Sequence, residues 1–140
     1  GSTGRSDYTI IGDNVNLASR IEGLTKFFGV NLIISEFTKN RLLEKYHFKY
    51  LADVVVKGKS NSIKLYEVLT QKEYENFKIV KSDYEKAINY YLNKDFDLSK
   101  TIFKTIEKTY PSKINKIYIT KCEDLISKKE KQTLFMMTEK

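Results

Sequence analysis

The sequence predicts an α+β fold over its first half and an all-α segment after it. Strand and helix signals alternate as β-α-β-α-β-β over about the first seventy residues, with Gly, Asn or Ser at the junctions. At Gln71 the strand signals stop and a helical period takes over. Short connections in that order predict helices laid on one face of a largely antiparallel sheet.

The first strand is DYTII, Asp7 to Ile11, ending at Gly12. A helix follows over VNLASRIEGLTKFF, with Leu17, Ala18, Ile21, Leu24 and Phe28 on one apolar stripe. Asp13 or Asn14 suits its N-cap and Gly29 its C-terminal stop. NLIIS is a short apolar strand, and Ser35 caps a second helix, EFTKNRLLEKY, with Glu36 near its positive end. YLADVVVKG and SIKLYEVL are two further strands joined by the polar turn KGKSNS. The chain enters a strand within seven residues and has no partner strand before it, so this half is expected to be the back part of a larger fold.

In the second half, SDYEKAINYYLNK places Tyr84, Ala87, Ile88 and Tyr91 on one side, with Ser82 as the expected cap. After a break near Lys94 and Asp95, FDLSKTIFKTIEKTY turns Ile102, Phe103 and Ile106 inward and stops at Pro111. A third helix spans INKIYITKCEDLI, and the end of the chain, charged and then apolar, is expected to fray.

Composition narrows the function classes. Hydrophobic residues at 41% suffice for a core. The net charge of +7 is spread along the chain: 10 basic residues stand against 7 acidic up to residue 70, and 15 against 11 beyond it. A solvated lysine-rich surface accounts for this better than a concentrated nucleic-acid or membrane patch. Cys122 and His47 are each alone, which leaves no disulfide framework and no Cys or His metal cluster; both read as structural or incidental. No apolar run is long enough to span a bilayer and no signal peptide opens the chain, so a soluble, cytoplasmic setting without membrane or nucleic-acid contact is expected.

Four residues carry the functional reading: Thr9 in the first strand, Asn16 and Arg20 one helical turn apart, and Lys57 at the end of VVVKG. Singly, each has an ordinary explanation: a β-branched strand residue, a first-turn polar group, an exposed helix arginine, an edge lysine. Together, DYTIIGDNVNLASRIEGLTKFFG, VKGKS and IKLYEV agree in order and spacing with one family. The stretch from residue 1 to about 69 closely resembles the C-terminal half of the class III nucleotidyl cyclase catalytic domain.

The resemblance implies the C-terminal half of a ferredoxin-like domain. Its activity would convert ATP to 3′,5′-cyclic AMP and pyrophosphate at a homodimer interface, with two divalent ions, Mg2+ or Mn2+. Asn16 matches the asparagine that orients the ribose, and Arg20 the arginine that stabilises charge on the α-phosphate. Lys57 matches the contact to the triphosphate tail, and Thr9 the position that reads the purine edge. Many members carry Asp at that last position and guanylate-making members often Cys, whereas Thr marks a subgroup resembling adenylate cyclases, some of them bicarbonate-responsive. A hydroxyl there favours adenine. Guanylate cyclase, and a cyclase-like module that binds without turnover, remain the alternatives.

The family's two metal-binding aspartates and its purine-selecting lysine precede the D-Y-T strand, and no counterpart is in this chain, while Asp13 reads as a turn or cap residue. No metal ligand is therefore assigned here, and the chain alone is expected to be inactive. The implied organisation is a partial cyclase domain over 1–70, a linker over 71–81, a helical segment over 82–127 and a tail over 128–140. In the helical segment, Ala87, Tyr90, Ser99, Phe103 and Pro111 resemble tetratricopeptide consensus positions.

Overall fold

The computed structural model describes residues 23–42, 46–56 and 61–137. The chain is mixed α/β and forms two compact units, one of residues 1–71 with 134–140 and the other of residues 72–133. The four-stranded sheet and the helices among the described residues are compatible with the expected α+β class.

In the first unit, residues 23–28 are helical. Gly29 adopts a φ of 72°, and the Val30 amide reaches back to the Thr25 carbonyl at 3.0 Å. That is the left-handed helix stop expected at this glycine, since a Cβ would be strained there. Strand β1 (Ile33–Ser35) follows, fully buried. Ser35 then caps helix α1 (Glu36–Lys39), its hydroxyl accepting from the Thr38 amide at 3.2 Å.

This helix is shorter than EFTKNRLLEKY suggests. The amides of Arg41 and Leu42 bond three residues back, to Thr38 and Lys39. Such tight turns end an α-helix, and Asn40 at the C-cap favours them because its side chain competes for backbone groups. Strand β2 (His47–Val56) begins at His47 rather than Tyr50, and β3 (Ser62–Leu69) matches SIKLYEVL.

The sheet order is β1-β3-β2-β4, where β4 is Phe135–Met137. Strands β1 and β2 both pair antiparallel with β3, and β4 pairs parallel with β2. Phe135 is buried, with its ring edge-on to that of Phe28 at 6.1 Å. Phe135 to Met137 thus form a strand within the stretch expected to fray: burying Phe135 and pairing its backbone outweigh the entropy of ordering it.

Between Tyr50 and Ala52 a β-bulge shifts the register of β2. Ala52 and Val54 therefore share a face with Lys49 and His47, while Tyr50 joins Asp53. The first face is the buried one: Ile33, Ser35, Leu65, Glu67 and Leu69 lie on it from β1 and β3.

The second unit is helical. Helix α2 (Gln71–Phe77), in a stretch read as linker from the sequence, turns directly into α3 (Lys81–Leu92). Val80, not Ser82, is the N-cap of α3 and makes no side-chain cap bond. Val80 is buried and its amide bonds to the Phe77 carbonyl at 2.9 Å, so packing sets the helix start and leaves Ser82 exposed in the first turn.

Tyr84, Ala87, Ile88 and Tyr91 form the buried stripe of α3, as their spacing predicts. Helix α4 (Phe96–Thr109) buries Ser99, Phe103 and Ile106, and α5 (Lys113–Ile126) buries Ile114, Tyr118 and Cys122. Ser99 donates to the Ala87 carbonyl at 2.8 Å, so two small residues mark a close approach of α3 and α4. An aromatic chain fills the centre. Phe103 stacks on Tyr118 at 5.0 Å, and Tyr84 and Tyr91 extend it edge-on at 5.8 and 4.9 Å.

At the Pro111 turn, Glu107 accepts from the Ser112 amide, the Asn115 amide group and Lys116. Burial alone would raise its carboxyl, but these donors hold it below the ordinary carboxylate value.

Helix α3 ends on Asn93, and Lys94 takes a φ of 68° with no glycine to ease it. Replacing Lys94 with glycine is expected to stabilise this unit by about 0.5–1 kcal/mol, read as a higher urea midpoint at unchanged slope.

Candidate functional site

Thr9, Asn16, Arg20 and Lys57, and Asp13 with them, lie outside the described residues. The structure describes what adjoins them: the helical turn 23–28 beyond Arg20, and β2 up to Val56, the residue before Lys57. Gly29 stops the helical segment and Phe28, 1% exposed, seats its last turn in the core. The long β2–β3 pairing, from His47↔Leu69 to Val55↔Ser62, holds the strand that leads to Lys57.

Two polar groupings on this sheet escaped the sequence reading. On the less buried face, Asp53 accepts from the Tyr50 hydroxyl at 2.7 Å and pairs with Lys64 at 3.2 Å. The Tyr50 ring meets Tyr66 edge-on at 5.8 Å, and Lys39 sits over the Phe48 and Tyr66 rings at 5.3 and 5.1 Å. Burial first, then the carboxylates of Glu36 and Asp53, raise the Tyr66 phenol above its ordinary value.

On the buried face, Lys49 and Glu67 are cross-strand partners, 5% and 9% exposed. Burial pulls the Lys49 ammonium from 10.5 down to about 8, and the Glu67 charge opposes that fall. A strict two-residue alternation run back from Val54 points Tyr50 inward and Lys49 outward. The bulge reverses both, and no residue in FKYLAD signals it.

His47 Nε2 lies 3.1 Å from Gln71 Oε1. Cys122 is fully buried in the helical unit, and burial pushes its thiol up to about 11, which makes it a poor nucleophile. Among the described residues no three His, Cys, Asp or Glu side chains gather to hold a metal ion, and no helix is long and apolar enough to cross a membrane.

Comparison with known proteins gives three relatives. The chain is 48% identical over 71 residues to an adenylate cyclase of Anabaena cylindrica, a match covering 49% of the chain and 14% of that protein. It is 29% identical over 142 residues to the terminal-differentiation specific adenylate cyclase of Dictyostelium discoideum, covering 96% of the chain and 7% of the relative. With adenylate cyclase 1 of Rhizobium meliloti (strain 1021) it shares 35% identity over 69 residues, 49% of the chain and 10% of the relative. No family model and no solved structure matches. The chain is thus a relative of adenylate cyclases and spans a small part of their length.

Proposed function

We propose that the chain is part of a class III adenylate cyclase that forms 3′,5′-cyclic AMP and pyrophosphate from ATP in the cytoplasm. The observation that carries this reading is that all three relatives are named adenylate cyclases. The joint spacing of Thr9, Asn16, Arg20 and Lys57 supports it.

In the reaction the ribose 3′-oxygen attacks the α-phosphorus and loses its proton. The bond from that phosphorus to the bridging oxygen of the β-phosphate breaks, and pyrophosphate leaves. Asn16 orients the ribose, and Lys57 holds the triphosphate tail. Arg20 donates to the α-phosphate oxygens as negative charge builds on them, a role suited to a guanidinium that stays protonated and offers a fork of donors. Thr9 bonds the adenine edge.

The described residues offer no ligand set for the Mg2+ or Mn2+ ions that belong to this reading. Their carboxylates are assigned to polypeptide outside these 140 residues, in a homodimer formed through the cyclase domain. The sheet unit serves as the second half of a ferredoxin-like domain, and the helical unit as a tetratricopeptide-like appendage.

The test compares ATP and GTP turnover by the full-length protein and by the 140-residue chain. Full-length protein is expected to give cyclic AMP and pyrophosphate from ATP in preference to GTP, and the chain alone to give neither. Absence of cyclic product from the full-length protein, or a preference for GTP, would overturn the reading. Turnover by the chain alone would overturn the assignment of the metal carboxylates.

A further inference from the structure

We propose that the open flank of the α4–α5 pair is a docking surface for a second copy of this chain, matched by self-complementary charge. The contact lies in the helical unit and is independent of the nucleotide-contacting residues proposed above.

Helices α4 and α5 run antiparallel, with Ser99 beside Cys122, Phe103 stacked on Tyr118 and Glu107 bonded to Asn115. Lys100, Lys104 and Lys108 each follow one of these α4 residues, and Ile119 and Glu123 follow Tyr118 and Cys122. One residue turns a helix by about 100°, which on an antiparallel pair brings both sets to the same flank. Asp97, three before Lys100, and Ile126, three after Glu123, join them there. Asp97, Lys104, Lys108 and Glu123 are exposed, and Ile126 is 40% exposed. Helix α3 packs on the other side, where its Tyr84 and Tyr91 rings reach Phe103 and Tyr118.

The charges on this flank are segregated. Asp97 and Glu123 sit toward one end, in the first turn of α4 and the last turn of α5. Lys104 and Lys108 sit toward the other, with Lys100 and the half-buried Ile119 between. Among the described residues none of these five charged groups forms an ion pair, whereas Lys78 pairs with Glu75 and Lys81 with Glu85 along their own helices. Lysines four apart also repel one another along α4, so the strip is mildly unfavourable in a lone chain.

A two-fold axis across the flank sets the lysine end of one copy against the carboxylate end of the other, and does so twice. A nucleic acid, an anionic membrane or a wholly acidic peptide would meet Asp97 and Glu123 as like charge, which disfavours all three.

Sedimentation equilibrium of the 140-residue chain tests the contact. Wild type is expected to self-associate, and less so as salt is raised. Lys104→Glu with Lys108→Glu, and separately Asp97→Lys with Glu123→Lys, put like charges across the axis and should each weaken association about a hundredfold. Mixing the two variants should restore it, because opposite charges face one another again. If charge reversal unfolds either chain, Lys104→Gln with Lys108→Gln decides: association about tenfold weaker supports the contact, and wild-type association overturns it. A wild-type chain that stays monomeric, whether or not it binds poly-glutamate, would overturn the proposal. So would folded reversal variants that associate like wild type, which would place any dimer contact elsewhere, or a mixture of the two that stays monomeric.

Discussion

Replacing Arg20 with alanine in the full-length protein is expected to lower kcat for ATP by about 10²–10³, with KM changed far less. The asymmetry follows from where the charge is. The α-phosphate is already anionic in the bound substrate, but attack by the 3′-oxygen adds negative charge to its equatorial oxygens. A fixed guanidinium fork gains most at that moment. Arg20→Lys separates charge from geometry. Lysine keeps the cation but offers a single ammonium in place of the fork, so a rate between wild type and alanine is expected. Far-UV circular dichroism matching wild type would show that the loss is chemical. Wild-type kcat in Arg20→Ala would remove Arg20 from the mechanism.

Much of the fold was readable because its signals are local. Ser62 to Leu69 is an apolar-rich run bounded by a polar turn and forms β3 over that span, and Gly29 stops its helix in the left-handed conformation. The stripe of Tyr84, Ala87, Ile88 and Tyr91 is buried because a helical period leaves it one inward face.

What escaped depends on partners remote in sequence. Nothing in LFMM announces a strand until β2, some eighty residues earlier in the chain, offers an open edge. Ser82 looked like a cap because serine commonly is one, yet the burial of Val80 decided the helix start. The candidate site divides in the same way. Thr9, Asn16, Arg20 and Lys57 are residue types at a spacing in the sequence, and the three related adenylate cyclases support a cyclase relationship without bearing on those positions.

The second large effect is on stability and comes from Lys49 and Glu67. Glu67→Ala is expected to destabilise the sheet unit by about 3–5 kcal/mol, because it leaves the Lys49 ammonium buried without its carboxylate. Replacing both, as Lys49→Met with Glu67→Leu, should cost far less, since no charge then remains to be desolvated.

The pH dependence separates this account from simple loss of packing. Lys49 holds its proton to about pH 8 in the folded chain, against an ordinary value of 10.5. Below pH 8 both folded and unfolded states carry the proton, and the burial penalty is constant. Between about 8 and 10.5 the unfolded state binds more protons, so stability should rise with pH across that window. Urea unfolding followed by circular dichroism at pH 7, 8, 9 and 10 reads the slope directly. The slope should vanish in Lys49→Met, and in Glu67→Ala it should begin at lower pH, because the charge that opposes the fall has gone. Equal slopes in wild type and Lys49→Met would show that Lys49 does not titrate in the core, and the pair would then be a packing feature of the bulged strand.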